Sequence, residues 1–172
     1  DYALEGFDCN GIFQDPYYDV SINQTGVSHL VIIQGTIVGL DVGDEIGLFD
    51  LNGVMQTVAD NELIQYGEIL VGAGVWTGSQ LNISTIMSDD FSQFGGPILA
   101  GAIDGNDIIV KMYDMSENIE SNITATFDSG GQFGDLFSVI SDLGLVSGCT
   151  DEAACNYNAD ATAENGSCEY PD

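Results

Sequence analysis

Oxygen-bearing side chains recur at alternate positions in Asn156-Tyr-Asn158-Ala-Asp160, with Asp151 ahead of them and Glu164-Asn165-Gly166 behind. A hard dication such as Ca2+ is bound by Asp and Asn oxygens, and a loop carrying them at every second position points them inward together. Asp151, Asn156, Asn158 and Asp160 are therefore candidate calcium ligands. The stretch departs from the EF-hand pattern, because Ala161 and Ser167 stand where that loop requires Gly and Glu. A second oxygen cluster, Asp44, Glu45, Asp50 and Asn52, brackets the stretch from Gly43 to Gly53, read as a turn. With 28 Asp and Glu in the chain, both groups also fit plain solvated turns.

The single histidine, His29, precedes Leu30-Val-Ile-Ile33, and the sequence identifies no nucleophile or acid to partner it, so it reads as a strand-face residue. No Gly-x-Ser-x-Gly elbow, phosphate loop, His-Glu-x-x-His or Cys-x-x-Cys is present. Adjacent acids such as Asp44-Glu45 and Asp89-Asp90 would do glycosidase chemistry only if they flanked a bond in space. So many acids produce such pairs by chance. Trp76, the lone tryptophan, sits in the apolar run from Val71 and reads as core rather than as a sugar platform. No catalytic residue is assigned, and the chain reads as a non-enzyme.

One Lys or Arg stands against 28 Asp and Glu, a formal net charge of −27 in 172 residues. Nucleic acids and anionic lipid surfaces are bound through Lys and Arg, so both partner classes are effectively ruled out. The longest apolar runs fall far short of the roughly 20 residues that span a bilayer, and no membrane insertion is expected. Hydrophobic residues make up 44% of the chain, enough for a packed core. Twenty-two glycines, nearly twice the usual share of roughly 7%, point to many tight turns and so to β structure. Four cysteines, three of them after residue 148, suit an oxidising, extracellular setting and a signal peptide already removed.

Strand-like runs lie at His29 to Gln34, Ile46 to Asp50, Ile69 to Trp76, Leu81 to Ile86, Ile108 to Tyr113 and Ile119 to Phe127. In the last run, Ile119, Ile123, Ala125 and Phe127 share one face and polar residues the other, the alternation of a half-buried antiparallel strand. Turn signals such as Asp41-Val-Gly43-Asp44, Thr77-Gly78-Ser79 and Asp104-Gly105-Asn106-Asp107 separate them. Many short strands with Gly-rich turns predict an all-β protein, an immunoglobulin-like or jelly-roll antiparallel sandwich. Leu136, Val139, Ile140 and Leu143 fall at helical spacing between Asp135 and Gly144, which predicts one short helix, with a strand as the alternative. Three regions follow: an extension over 1–26, a sandwich over 27–147 and a Cys-rich tail over 148–172, too poor in apolar residues to hold itself without staples.

Gly148-Cys149-Thr150-Asp151-Glu-Ala-Ala154-Cys155-Asn156-Tyr157-Asn158, followed by Asn165-Gly166-Ser167-Cys168-Glu169-Tyr170, closely resembles a short Cys-rich module of secreted proteins of Bacteroidetes-type aquatic bacteria. That module often stands beside adhesive or surface-anchored β domains. Val42-Gly43-Asp44-Glu45-Ile46-Gly47-Leu48-Phe49-Asp50, the stretch from Val71 to Gly78 and Gly105-Asn106-Asp107-Ile108 are similar to a β-sandwich domain of the same proteins. Such domains resemble subunits of extracellular bacterial fibrils in which an N-terminal strand of one subunit completes the sandwich of another. The resemblance implies a secreted structural subunit that polymerises with itself into a helical, pilus-like fibre. Tyr2, Leu4 and Phe7 would be the knobs of the donated strand. Cys149 is expected to close the tail loop with Cys168, and Cys155 to pair with Cys9, although four cysteines allow three pairings among which sequence does not choose. The alternative reading is an adhesive or carbohydrate-binding module of a cell-surface protein, with surface glycans as partners.

Overall fold

The computed structural model of the chain describes residues 15–159, 161, 163–164 and 166–170. Among these, eight strands form two four-stranded sheets. The first sheet holds β1 (Ser28–Ile33), β4 (Leu81–Ile86), β7 (Thr126–Ser129) and β8 (Ser138–Asp142) in the order β4-β1-β8-β7. The second holds β2 (Glu45–Val54), β3 (Tyr66–Val75), β5 (Ile109–Asp114) and β6 (Ile119–Ile123) in the order β3-β2-β5-β6. Every pairing in the sandwich is antiparallel except β1 with β8, which lays its first and last strands side by side. The fold is the all-β sandwich that the glycine content and strand spacing predict.

Alternation decides what fills the space between the sheets, because successive side chains of a strand point to opposite faces. Val31 and Ile33 of β1, Ile83 of β4 and Ile140 of β8 meet Ile46 and Leu48 of β2, Val71 of β3 and Val110 of β5 in one buried cluster. Trp76 is buried in that cluster, as the sequence suggests. Each large aliphatic side chain contributes about 1.5–3 kcal/mol by leaving water. Among the described residues, those that fill the interior run from Ile22 to Leu145.

The short helix expected around Leu136 to Leu143 is not there. Residues 138–142 form β8, which runs parallel to β1 in the register Val31↔Ser138 to Ile33↔Ile140. Ile140 and Leu143 are buried, but Leu136 is 92% exposed, so no apolar helical face exists to bury. Val139 and Ile140 are β-branched, and the free edge of β1 offers them main-chain partners that a five-residue segment cannot supply to itself. Asp135 caps no helix; its carboxylate accepts the Gln132 amide instead. The single strand read from Ile119 to Phe127 is in fact two, β6 and β7, which belong to different sheets.

The tail starts with a two-residue parallel pair, β9 (Ser147–Gly148) with β10 (Ala163–Glu164). It is stapled by the Cys149–Cys168 disulfide and by the Cys155 amide donating to the Glu169 carbonyl at 2.7 Å. The Thr150 hydroxyl donates to Glu117 at 2.5 Å, tying the tail to the β5–β6 turn. Among the described residues, no helix is long and apolar enough to cross a membrane.

Candidate assembly site

The outer face of the second sheet carries a cluster of aromatic and charged side chains. Gly47 lies between Glu45 and Phe49 on the outward side of β2, opposite Lys111 of β5. A Cβ at Gly47 would come within 2.7 Å of the Phe49 ring and 3.0 Å of the Tyr18 ring, so the missing side chain is what lets Tyr18 lie on the sheet. Tyr18 packs edge-on against Phe49 with centroids 5.7 Å apart, and Tyr17 stacks on Tyr113 of β5 at 3.9 Å. Burial raises the Tyr18 phenol well above its ordinary value, and the charge of Glu120 adds to the rise.

Glu45 fixes the chain that brings these rings in. Its two carboxylate oxygens accept the Tyr17 amide at 2.9 Å and the Tyr18 amide at 3.0 Å. The carboxylate is buried, and charge-assisted bonds of this kind are roughly twice as strong as neutral ones. Residues 15–26 are therefore bound to their own sandwich. Ile22 packs against its core, and the Thr25 hydroxyl donates to the Met87 carbonyl at 2.6 Å.

Lys111 is the only Lys or Arg in the chain. Its ammonium stands 2.6 Å from Glu68 of β3 and 3.8 Å from Glu120 of β6, 4.4 Å above the Phe49 ring. Beyond Glu68, the β3 run from Ile69 to Val75 holds no charged residue. β3 pairs with β2 on one side, and among the described residues no main-chain group bonds to its other edge. The arrangement leaves an edge that can take main-chain bonds from an incoming strand.

The other candidates from the sequence are dispersed. Tyr2, Leu4, Phe7, Cys9 and Asp160 lie outside the described residues. Cys155 is exposed and forms no disulfide with a described cysteine. In the tail, Asp151 accepts the Tyr170 hydroxyl at 2.6 Å and the Ala153 amide at 2.8 Å. Asn156 accepts the Glu169 amide at 2.8 Å and donates to the Ser167 carbonyl at 2.5 Å. The oxygens of Asp151 and Asn156 thus hold the tail loop closed, and Asn158 is half-buried beneath Gly148. No group of three acidic, His or Cys side chains suited to a metal occurs among the described residues.

The stretch from Gly43 to Gly53 is mostly strand, not turn, and it keeps its acids apart. Asp44 accepts the amides of Asp41 and Met115 at 2.8 and 3.3 Å, and burial pushes its carboxyl up to about 6. Asp50, midway along β2 and almost fully buried, accepts the amides of Asn52 and Ile103 and the Asn106 side chain, which pins the 103–106 loop to the sheet. A shallow pocket of about 190 Å³ beside it is lined by Asn52, Asn106 and Asp107.

His29 faces inward, as a strand-face residue should, and the structure supplies the partner that spacing hides. Its Nδ1–H donates to the Asp135 carbonyl at 3.0 Å, which leaves Nε2 to accept the Ser138 hydroxyl at 3.0 Å. Ser138 in turn accepts the Gly131 amide at 3.0 Å. Both side chains are buried, and the pair holds a loop to a strand. Sequence reasoning missed Glu45 as a clamp and Lys111 as a bridge, although a lone cation among 28 acids was a signal in plain view. Compared with models of known families, with curated proteins and with solved structures, the chain matches none.

Proposed function

We propose that the chain is a secreted structural subunit that assembles with copies of itself into an extracellular fibre. The observation that carries this reading is the clamp of Glu45 on Tyr17 and Tyr18. It roots the segment that follows residues 1–14 on the body's surface, and the core formed by the described residues runs from Ile22 to Leu145. Those fourteen residues hold Tyr2, Leu4, Phe7, Ile12 and Phe13, apolar side chains suited to a contact with a neighbouring copy. A filament grows when one such head-to-tail contact repeats without closing. Main-chain pairing, rather than knobs entering an open core, would then supply the affinity.

The test is negative-stain microscopy and light scattering on the full chain and on a chain beginning at residue 15, which retains the clamp. Fibres from the first and folded monomers from the second are expected. Fibres from both, or monomers from both, overturn the reading. Calcium belongs to the proposal as a tail ligand through Asp151, Asn156, Asn158 and Asp160. A chelator should then lower the thermal midpoint of the wild type and leave D151N unmoved. The glycan-binding alternative draws on Tyr17, 49% exposed and stacked on Tyr113. A Tyr17→Ala chain that loses glycan binding and keeps its oligomeric state would favour it.

A further inference from the structure

Each sheet ends in two edge strands, and an unprotected edge is a template for pairing with another chain. Three of the four are blunted. β7 is four residues long and irregular in register against β8. β6 is five residues long and carries Glu120 and Asn122. β4 has its end occupied, because the Ile86 carbonyl already accepts the Ala102 amide. β3 differs: it runs ten residues, its one charge is Glu68, and the chain's single cation is placed on that charge at 2.6 Å. From Ile69 to Val75 its edge is apolar, with one bulge at Val71, where Leu70 and Gly72 face successive residues of β2.

We propose that the outer edge of β3 is the docking edge of the subunit, and that it receives residues 1–14 of a second copy as an added strand. The assignment rests on the self-assembly reading above. An extended strand rises about 3.3 Å per residue, so fourteen residues reach roughly 46 Å, and the ten of β3 need roughly 33 Å. The segment is rooted over β5, where Tyr17 stacks on Tyr113, two strands away from β3 in the order β3-β2-β5. The outer face between them is filled by Tyr18, Phe49, Lys111 and Glu68. The extension thus has its root two strands from the β3 edge of its own subunit, with a filled face between the two. Neutralising Glu68 removes the one like charge that an acidic incoming strand would meet.

Complementation tests the edge. Val75 is 42% exposed on β3, so Val75→Glu adds a charge at the edge; because it faces Glu45 across the pair, Ala73→Glu, opposite Gly47, is the second variant, which sets no charge against the clamp. Each edge variant keeps its extension; a chain starting at residue 15 keeps its edge. Each alone should be monomeric, and the Ala73 variant and the chain starting at residue 15 should keep the thermal melt of the wild type. Mixed in equal amounts, a chain starting at residue 15 and either edge variant should form a 1:1 dimer of twice the monomer mass and grow no further. Absence of that dimer, while the wild type polymerises, overturns the β3 assignment, as does equal loss of fibres on Ile119→Glu at the β6 edge. A wild-type chain that never polymerises, in low or physiological salt, overturns instead the self-assembly reading beneath it.

Discussion

The Lys111 ammonium of β5 lies 2.6 Å from the Glu68 carboxylate of β3, so the chain's only Lys or Arg bridges over β2 and the Phe49 ring that β2 presents. Glu68 is half exposed, and such pairs contribute at most about 1 kcal/mol, with a cation over an aromatic face adding a similar amount. Lys111→Met should lower the thermal midpoint by about 3 °C. Added salt should narrow the gap between wild type and variant. Scanning calorimetry at low and high salt checks both.

Glu45 is the second test. A buried carboxylate that accepts two amides stabilises by about 2–3 kcal/mol, and its loss leaves both donors unpaired. Glu45→Ala should free the amides of Tyr17 and Tyr18 to exchange with solvent orders of magnitude faster, while β1 and β8 stay protected. Hydrogen exchange read residue by residue measures this, and unchanged protection of both amides would remove the clamp from the argument.

Asp44 sets one pH dependence. Its folded-state value of about 6 is raised above the ordinary 3.8, so its ionised form is disfavoured in the native state. The native state therefore gains stability relative to the unfolded one as pH falls from about 6 toward 3.8. Asp44→Asn should be more stable than wild type at pH 7 by about 1–2 kcal/mol, less than the full shift because one of the two amides loses its acceptor. Below pH 4 the difference should vanish or reverse. Denaturant titrations at pH 7 and pH 3.5 check it.

His29 works in the opposite direction. Burial lowers its value from 6.5, with the Asp135 carbonyl opposing, so neutral His29 contributes stability that is complete above pH 6.5 and lost as pH falls through its lower folded value. Protonation takes away the Nε2 lone pair that accepts the Ser138 hydroxyl. In an Asp44→Asn background, where the competing slope is gone, stability should fall with pH below 6.5. His29→Gln in that background should flatten the curve. A flat curve with His29 present counts against the Ser138–His29 hydrogen bond.

The tail should melt apart from the body. Closing a loop of about 20 residues stabilises by roughly 3 kcal/mol, and the tail adds few apolar contacts of its own. Replacing Cys149 and Cys168 with Ser should abolish the ordered signals of residues 149–170 in an NMR spectrum. The body's midpoint should move by less than about 2 °C. A large drop in the body's midpoint would show that the two are one cooperative unit.

Local pattern was enough for the all-β class, the first five strands to within a few residues, the core position of Trp76 and the inward His29. Alternation and glycine-marked turns are properties of neighbouring residues, and they survive in any fold that buries one face of each strand; the Cys149–Cys168 bond, one of three pairings open to four cysteines, was chosen by the fold. Tertiary contact alone decided the rest. Leu136, Val139, Ile140 and Leu143 suit a helix by spacing, yet β1 needed a second neighbour and took Ser138 to Asp142 as a parallel strand. Glu45 reaches Tyr17 across 28 positions, and His29 reaches Ser138 across 109. No periodicity encodes such distances, because a hydrogen bond depends on where two backbones come to rest. The unpaired edge of β3 is likewise a property of strand order: the same ten residues would be ordinary interior strand had another stood beside them.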